Sequence, residues 1–184
     1  MKQPFARTAL AAALMVSLGA FADHAALSRP DSKFIEKAAA DNRAEVELGK
    51  LAQQKAMRGE VKEFATRMVE DHSKAGAQAE KIAAANNVQL PAGVDRKTRK
   101  EMDRLAKLVG GDFDREYMKH MVKDHKDDVK EFRKEARSKQ ESEAKSFAQD
   151  TLPTLEEHLA MAEKTYDITQ ASRRSGNREV GSTH

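Results

Sequence analysis

The sequence contains no cysteine and no tryptophan, and it has few glycines and prolines. Among 184 residues there are 9 glycines and 4 prolines, and aromatic residues make up 5%. The absence of cysteine excludes disulfide bonds and thiolate chemistry from these residues. Few helix breakers together with plentiful Ala, Lys, Glu and Met are typical of helical bundles, so the composition predicts an all-α fold.

Long apolar runs are also missing, except near the N-terminus. There, Lys2 and Arg7 precede an apolar stretch over residues 8–19 and the triplet Ala-Phe-Ala at residues 20–22. This pattern predicts a cleaved signal peptide over residues 1–22, and the apolar stretch is too short to cross a membrane. We therefore expect an exported protein of a bacterial periplasm, with no transmembrane segment in the mature chain.

The balance of charges gives little support to nucleic-acid binding. Loss of residues 1–22 removes two of the 33 basic residues and none of the 30 acidic ones, which leaves 31 against 30, a net charge of +1. The charges of the body are interspersed and are not sorted into a basic face. We expect no nucleic-acid partner. A homo-oligomer or an envelope partner stays open.

Apolar periodicity and helix breakers divide the chain into helices. The predicted segments are 32–57, 60–87, 95–109, 112–138 and 141–170. Asp31 is the predicted first N-cap, and Pro153 is expected to kink or break the last helix. Residues 23–30 are expected to form a flexible N-terminus, and residues 171–184 a disordered tail. Residues 31–170 then form one domain, a ferritin-like four-helix bundle with a long crossover that carries the short extra helix.

The motif Met-Val-x-Asp-His occurs twice, and the histidine that ends each copy lies on an apolar helical stripe. The two copies end at His72 and His125, while His158 and Glu45 interrupt the stripes of the last and first helices. All four lie near the predicted midpoints of their helices, so we expect them to share a central layer. Facing ligands of this kind build metal sites in bundles. One interpretation is therefore a single transition metal ion (zinc, iron, manganese or copper) held by the three histidines, with Glu45 as fourth ligand or gate.

Four residues close in sequence to the repeated histidines are also candidates for a role in the metal site. Asp71 and Asp124 directly precede the histidines, and each either accepts a ring N–H and orients that ring or lies on the helix surface. Met68 and Met121 lie four residues before the histidines. Their thioethers suit Cu(I), although ordinary core packing is the simpler role for a methionine.

A second interpretation needs no metal. The buried histidines and Glu45 can satisfy one another by hydrogen bonds and fix the register of the bundle, in a non-catalytic envelope or stress-related structural protein. An enzyme is the third interpretation, because a three-histidine metal site with an open position can activate water. Against it, the sequence shows no serine-nucleophile motif, phosphate loop or dinucleotide fingerprint.

Three segments carry a resemblance to a known family. They are FATRMVEDH at 64–72, GGDFDREYMKHMVKDH at 110–125 and SFAQDTLPTLEEHLAMA at 146–162. In this order they resemble the bacterial domain of unknown function 4142 family over nearly the whole mature chain. The resemblance implies a ferritin-like bundle in an exported protein, sometimes labelled an outer membrane protein, and implies no established activity. Val69, Val122 and Leu155 replace the glutamates of a Glu-x-x-His pair, which argues against a carboxylate-bridged two-metal centre.

Overall fold

The computed structural model describes residues 27–180, with side chains described for residues 27–171. Its helices are α1 (Arg29–Lys55), α2 (Gly59–Ala85), α3 (Arg96–Ala106), α4 (Gly110–Ala136) and α5 (Glu143–Val180). The described part of the chain contains no strand. These observations confirm the predicted all-α bundle of four long helices with a short helix in the connector. The predicted signal peptide lies outside the described residues.

The bundle consists of two helical hairpins, α1 with α2 and α4 with α5. The first turn of α4 meets the α1–α2 turn, where the Asp114 carboxylate accepts the backbone N–H groups of Met57 and Arg58, both at 3.0 Å. At the opposite end, Asn86 after α2 donates to Glu143 at the start of α5, at 2.7 Å. The connector that carries α3 therefore runs the length of the bundle. The finer ferritin-like assignment stays a prediction.

The first helix begins at Arg29, earlier than predicted, and its N-cap is Ser28, so the assignment of Asp31 as N-cap was wrong. Ser28 Oγ accepts the Asp31 N–H at 3.3 Å, and the Asp31 carboxylate accepts the Ser28 N–H at 3.4 Å. This reciprocal capping box satisfies two backbone donors at once. Pro30 fits the first turn, where its missing N–H costs nothing. Of the predicted flexible segment 23–30, the last two residues are thus already helical.

The last helix, α5, runs without a break through Pro153 and continues to Val180. The proline removes one backbone hydrogen bond, but Ala148 and Leu155 on either side of it are both buried in the core, and the helix continues through it. The helix thus extends beyond residue 170, into the segment predicted to be a disordered tail. Adding residues to the end of an existing helix avoids the cost of nucleating a new one. The helix can therefore continue into a segment that has no apolar residues at helical spacing.

The hydrophobic core divides into two clusters, one on each side of a central polar layer. Cluster one contains Phe34, Ile35, Val129, Phe132 and Phe147, and cluster two contains Leu48, Phe64, Met68, Phe113, Tyr117 and Met121. Along each long helix, the residues of one cluster are separated from those of the other by a buried polar side chain. The interruptions of the apolar stripes therefore meet at one depth of the bundle.

Close approach of α1 and α2 beside this layer needs a glycine. A Cβ atom built on Gly49 would lie 2.8 Å from Val69 Cγ2 and 3.2 Å from the Ala65 carbonyl oxygen. Any larger residue would push the two helices apart, and the polar groups of α1 would move away from those of α2.

Candidate metal centre

Three buried histidines, one each from α2, α4 and α5, form a triangle in the central layer. The ring centroids of His72, His125 and His158 are 5.3–5.5 Å apart. Their exposed fractions are 4%, 0% and 1%. One nitrogen of each ring lies within 4.8 Å of the corresponding nitrogens of the other two. The structure thus brings three of the four predicted ligands to one point.

The proton of the His72 ring is fixed by Asn42 on α1. Asn42 donates its amide N–H to the Ala38 carbonyl oxygen at 2.7 Å, which turns its Oδ1 towards His72. The His72 Nδ1 atom lies 3.0 Å from this oxygen. Because an amide oxygen only accepts, Nδ1 carries the proton, and Nε2 of the neutral ring presents a lone pair.

The other two rings are fixed in the same way by groups that only accept. His125 Nδ1 lies 3.0 Å from the Met121 carbonyl oxygen, and His158 Nε2 lies 3.1 Å from Asp71 Oδ2. The pKa of Asp71 lies below its usual value: burial opposes this shift, but bonds to His158, Arg67 and Lys74 outweigh it, so this carboxylate is ionised. The protons therefore sit on His125 Nδ1 and His158 Nε2, and the lone pairs on His125 Nε2 and His158 Nδ1.

The three remaining ring nitrogens are buried, and no described side-chain or backbone group hydrogen-bonds to them. They are His72 Nε2, His125 Nε2 and His158 Nδ1. Burial lowers the pKa of all three rings. For His72 and His125, repulsion from the neighbouring rings lowers the pKa further, and the pKa of His125 falls to about 4. The rings are therefore neutral at pH 7. Three lone pairs therefore lie in one buried layer, and the proton of each ring is committed to an acceptor outside the triad.

The sequence matches one known protein family over most of its length. The family described as "Domain of unknown function (DUF4142)" matches residues 17–165. The chain belongs to the DUF4142 family. No curated protein and no solved structure shows significant similarity to it. Within the described part of this DUF4142 chain, no helix combines the length and the apolar character of a membrane span.

Glu45, the fourth predicted ligand, lies in the layer but outside the group of converging ligand atoms. It is 1% exposed, and neither of its oxygens has a hydrogen-bond partner of good geometry. Its carboxyl interacts with those of Asp124, Asp128 and Asp41 on α4 and α1. Burial first, and then repulsion from these carboxyls, raises the pKa of Glu45 well above its usual value. The side chain belongs to the α1–α4 side of the layer.

The predicted neighbours divide according to what they contact. Asp71 does hold a histidine, but it is His158 on α5 and not the adjacent His72. Asp124 lies 3.6 Å from His120 and contacts none of the three rings by a hydrogen bond. Met121 contributes its backbone carbonyl to His125, and its side chain, like that of Met68, is part of core cluster two.

Asn42 contacts a histidine of the layer and was not among the predicted site residues. Its signal was present, because an amide on an apolar stripe one turn before Glu45 marks the same polar layer. Which ring it would hold depends on the packing of α1 against α2, and periodicity alone does not give that packing.

A cleft of about 990 Å³ lies between α1, α3 and α4 in this DUF4142 protein. Asp41, Asp124 and Asp128 line it, and none of the three histidines does. Asp128 is buried, and this burial, followed by repulsion from Asp41 and Asp124, raises its pKa to about 8.

Replacement of Asp128 by asparagine is expected to stabilise the protein at pH 8 and to have little effect at pH 4. The unfolded chain releases this proton near pH 4, whereas the folded protein keeps it until about pH 8. The contribution of Asp128 to stability is thus fully present below pH 4 and is lost as the pH rises to 8. We expect Asp128→Asn to raise the free energy of unfolding by about 1–3 kcal/mol at pH 8, measured by urea denaturation.

The neighbouring acid provides the control for this experiment. Asp127 is exposed and pairs with Lys123 at 2.8 Å, and this pairing lowers its pKa. Asp127→Asn should therefore leave stability unchanged or slightly reduced at pH 8. An equal gain from Asp128→Asn at pH 4 and pH 8 would show that the retained proton is not the cause.

Proposed function

We propose that this DUF4142 protein is an exported, periplasmic helical-bundle protein that binds one transition metal ion through His72 Nε2, His125 Nε2 and His158 Nδ1. One observation carries the proposal: three imidazole lone pairs meet in a buried layer, and no described donor satisfies them. A buried acceptor without a partner costs about 1–3 kcal/mol. A metal ion satisfies all three at once when it accepts their lone pairs.

The hydrogen bonds around the rings favour this function over a layer that only fixes register. A register layer is stable when its members satisfy one another. Here each ring donates outwards, to Asn42, to the Met121 carbonyl and to Asp71, and none donates to another ring. Outward donation to an oxygen is the arrangement that orients a metal-bound histidine and increases its basicity.

The geometry of the site supports metal binding but no catalytic reaction. The three ligands are almost fully buried, and the cleft beside the layer is lined by other residues. A substrate would have to reach the ion through the core. We therefore propose a metal-binding protein and assign no catalytic residue.

Export rests on the N-terminal pattern of residues 1–22. We expect the protein recovered from the periplasm of a bacterial host to begin at Asp23. Mass spectrometry of the intact protein measures this directly, and a periplasmic form that retains residues 1–22 would contradict cleavage.

Elemental mass spectrometry tests the metal site. The full chain is expressed without a polyhistidine tag, exported to the periplasm and purified without chelators. We expect about one equivalent of a single transition metal, and we expect His125→Ala to lose it. His120→Ala is the matched control, since His120 lies on the same helix but outside the triad, and it should retain the metal.

A metal-free wild type would decide against the proposal under one further condition. If zinc, copper, iron and manganese also produce no shift in its melting temperature, no ion binds the folded state preferentially. Circular dichroism of His125→Ala shows whether that variant has folded, and His158→Gln provides a second substitution of similar size.

A further inference from the structure

The donor set of the triad is neutral, nitrogen-only and closed. Three imidazole nitrogens lie within 4.8 Å of one another, and no carboxylate of the described residues belongs to the group. Each of the three ligand atoms is inaccessible to solvent. Whatever ion binds must therefore be stable with three uncharged ligands in a dry environment.

We propose that the ion is Cu(I), bound in a trigonal plane by His72, His125 and His158. This inference rests on the metal-binding function proposed above and names its cargo. Cu(I) has a filled d shell and is satisfied by three ligands, whereas zinc takes four and hard divalent ions such as manganese prefer oxygen. The triad offers three nitrogens, and neither a carboxylate nor water access completes a fourth position.

The charges around the triad favour a monovalent ion. The cost of transferring an ion from water into a low-dielectric interior grows with the square of its charge, about fourfold from +1 to +2. Among the described residues, Asp71 is the one carboxylate hydrogen-bonded to a ligand ring, and it also pairs with Arg67 at 3.2 Å and Lys74 at 3.5 Å. Its negative charge is thus already shared, and little remains to offset a second positive charge.

The geometry needs only a small contraction. A metal–nitrogen bond of about 2.0 Å places three trigonal nitrogens about 3.5 Å apart. The ring nitrogens are within 4.8 Å of one another, so each pair must approach by at most about 1.3 Å. The bonds to Asn42, the Met121 carbonyl and Asp71 already set the tautomers that this contraction requires.

The surroundings are also those of a soft ion. Met68 and Met121, one turn before their histidines, are fully buried in core cluster two, and the Phe64 ring packs against His125 at a centroid distance of 6.3 Å. Such an apolar shell excludes water, which lowers the dielectric constant at the ion and favours the lower charge state.

Competitive titration under anaerobic conditions tests the inference. Metal-free full-length protein is titrated with Cu(I) in the presence of bicinchoninate, and in parallel with Zn(II) and Co(II). We expect one equivalent of Cu(I), bound at least ~100-fold more tightly than Zn(II), and X-ray absorption showing three nitrogen neighbours. His125→Ala should abolish Cu(I) binding, while His120→Ala should not change it.

Glu45→Gln separates the two charge states. Cu(I) needs no carboxylate, so this variant should bind it with unchanged affinity. If Zn(II) or Co(II) binds as tightly as Cu(I), and Glu45→Gln weakens that binding, then Glu45 is a ligand of a divalent ion. That result overturns the Cu(I) inference and leaves the metal-binding function intact. If none of the three ions binds wild type, the Cu(I) inference fails, and the metal-binding function fails with it when iron and manganese do not bind either.

Discussion

His125→Leu is expected to make the metal-free protein more stable, by about 1–2 kcal/mol, while it removes the metal site. Most substitutions in a protein core destabilise the fold, so a gain at a fully buried position is a sharp result. It follows if the three histidines are retained for a ligand and not for the fold, as at other sites where function opposes stability.

The size of the effect comes from two groups that change partners. The substitution removes His125 Nε2, which is buried and unsatisfied, and it relieves the crowding of its lone pair with those of His72 and His158. The group left behind is the Met121 carbonyl oxygen, which lies one turn earlier on the same helix, where the backbone N–H of residue 125 can bond to it. Leucine is similar in volume to histidine, so little cavity or strain is expected.

Chemical denaturation of the metal-free proteins measures this difference, with His120→Leu as the control. His120 lies on the same helix at the rim of the cleft, and its replacement should not raise stability, because it removes contacts with Glu101 and Asp124, both at 3.6 Å. A loss of stability in metal-free His125→Leu would contradict the metal site and support a polar layer that fixes register. The bound ion should reverse the order, so that loaded wild type is more stable than the variant.

Periodicity along the sequence was sufficient to predict the depth of the histidines in the bundle. The position of a residue on an apolar stripe, and its distance from the helix ends, predicted that His72, His125 and His158 meet at one depth, and the structure shows this. Boundaries that were wrong by a few residues did not spoil the prediction, because an error of two residues displaces a side chain by only about 3 Å along the axis.

Periodicity did not predict the partners of these side chains, because the rotation of each helix about its axis decides which groups come into contact. Glu45 has the right depth, but its carboxyl interacts with acids of α1 and α4, while Asn42, one turn earlier, contacts the His72 ring. Asp71 was predicted either to orient a histidine ring or to lie on the helix surface, and the ring that it holds belongs to α5. Depth follows from position along a helix, whereas partners depend on how the helices pack, and a single sequence leaves that packing open.

Asn42→Leu is expected to weaken metal binding about 10–100-fold, although Asn42 is not a ligand. Asn42 Oδ1 is the acceptor that keeps the proton on His72 Nδ1, at 3.0 Å. Without it, a buried N–H loses its partner, and the ring gains by moving its proton to Nε2 and turning it towards the lone pairs of the other two rings. That tautomer must be reversed before an ion can bind, and the cost of reversal appears as lost affinity.

Asn42→Asp distinguishes this positioning role from a general loss of packing. It loses the N–H that Asn42 donates to the Ala38 carbonyl oxygen but keeps an oxygen that accepts the His72 Nδ1 proton, so affinity for the ion that wild type binds most tightly should return towards the wild-type value. A purely structural role for Asn42 would predict that both variants lose stability and that neither changes affinity in the folded protein. Titration of the two folded variants separates these outcomes.

A carboxylate in place of the amide also adds a negative charge next to the ring, so a rescued variant should bind a divalent ion relatively better than wild type does. Asn42 would then help to set both the orientation of His72 and the charge of the ion that the triad accepts.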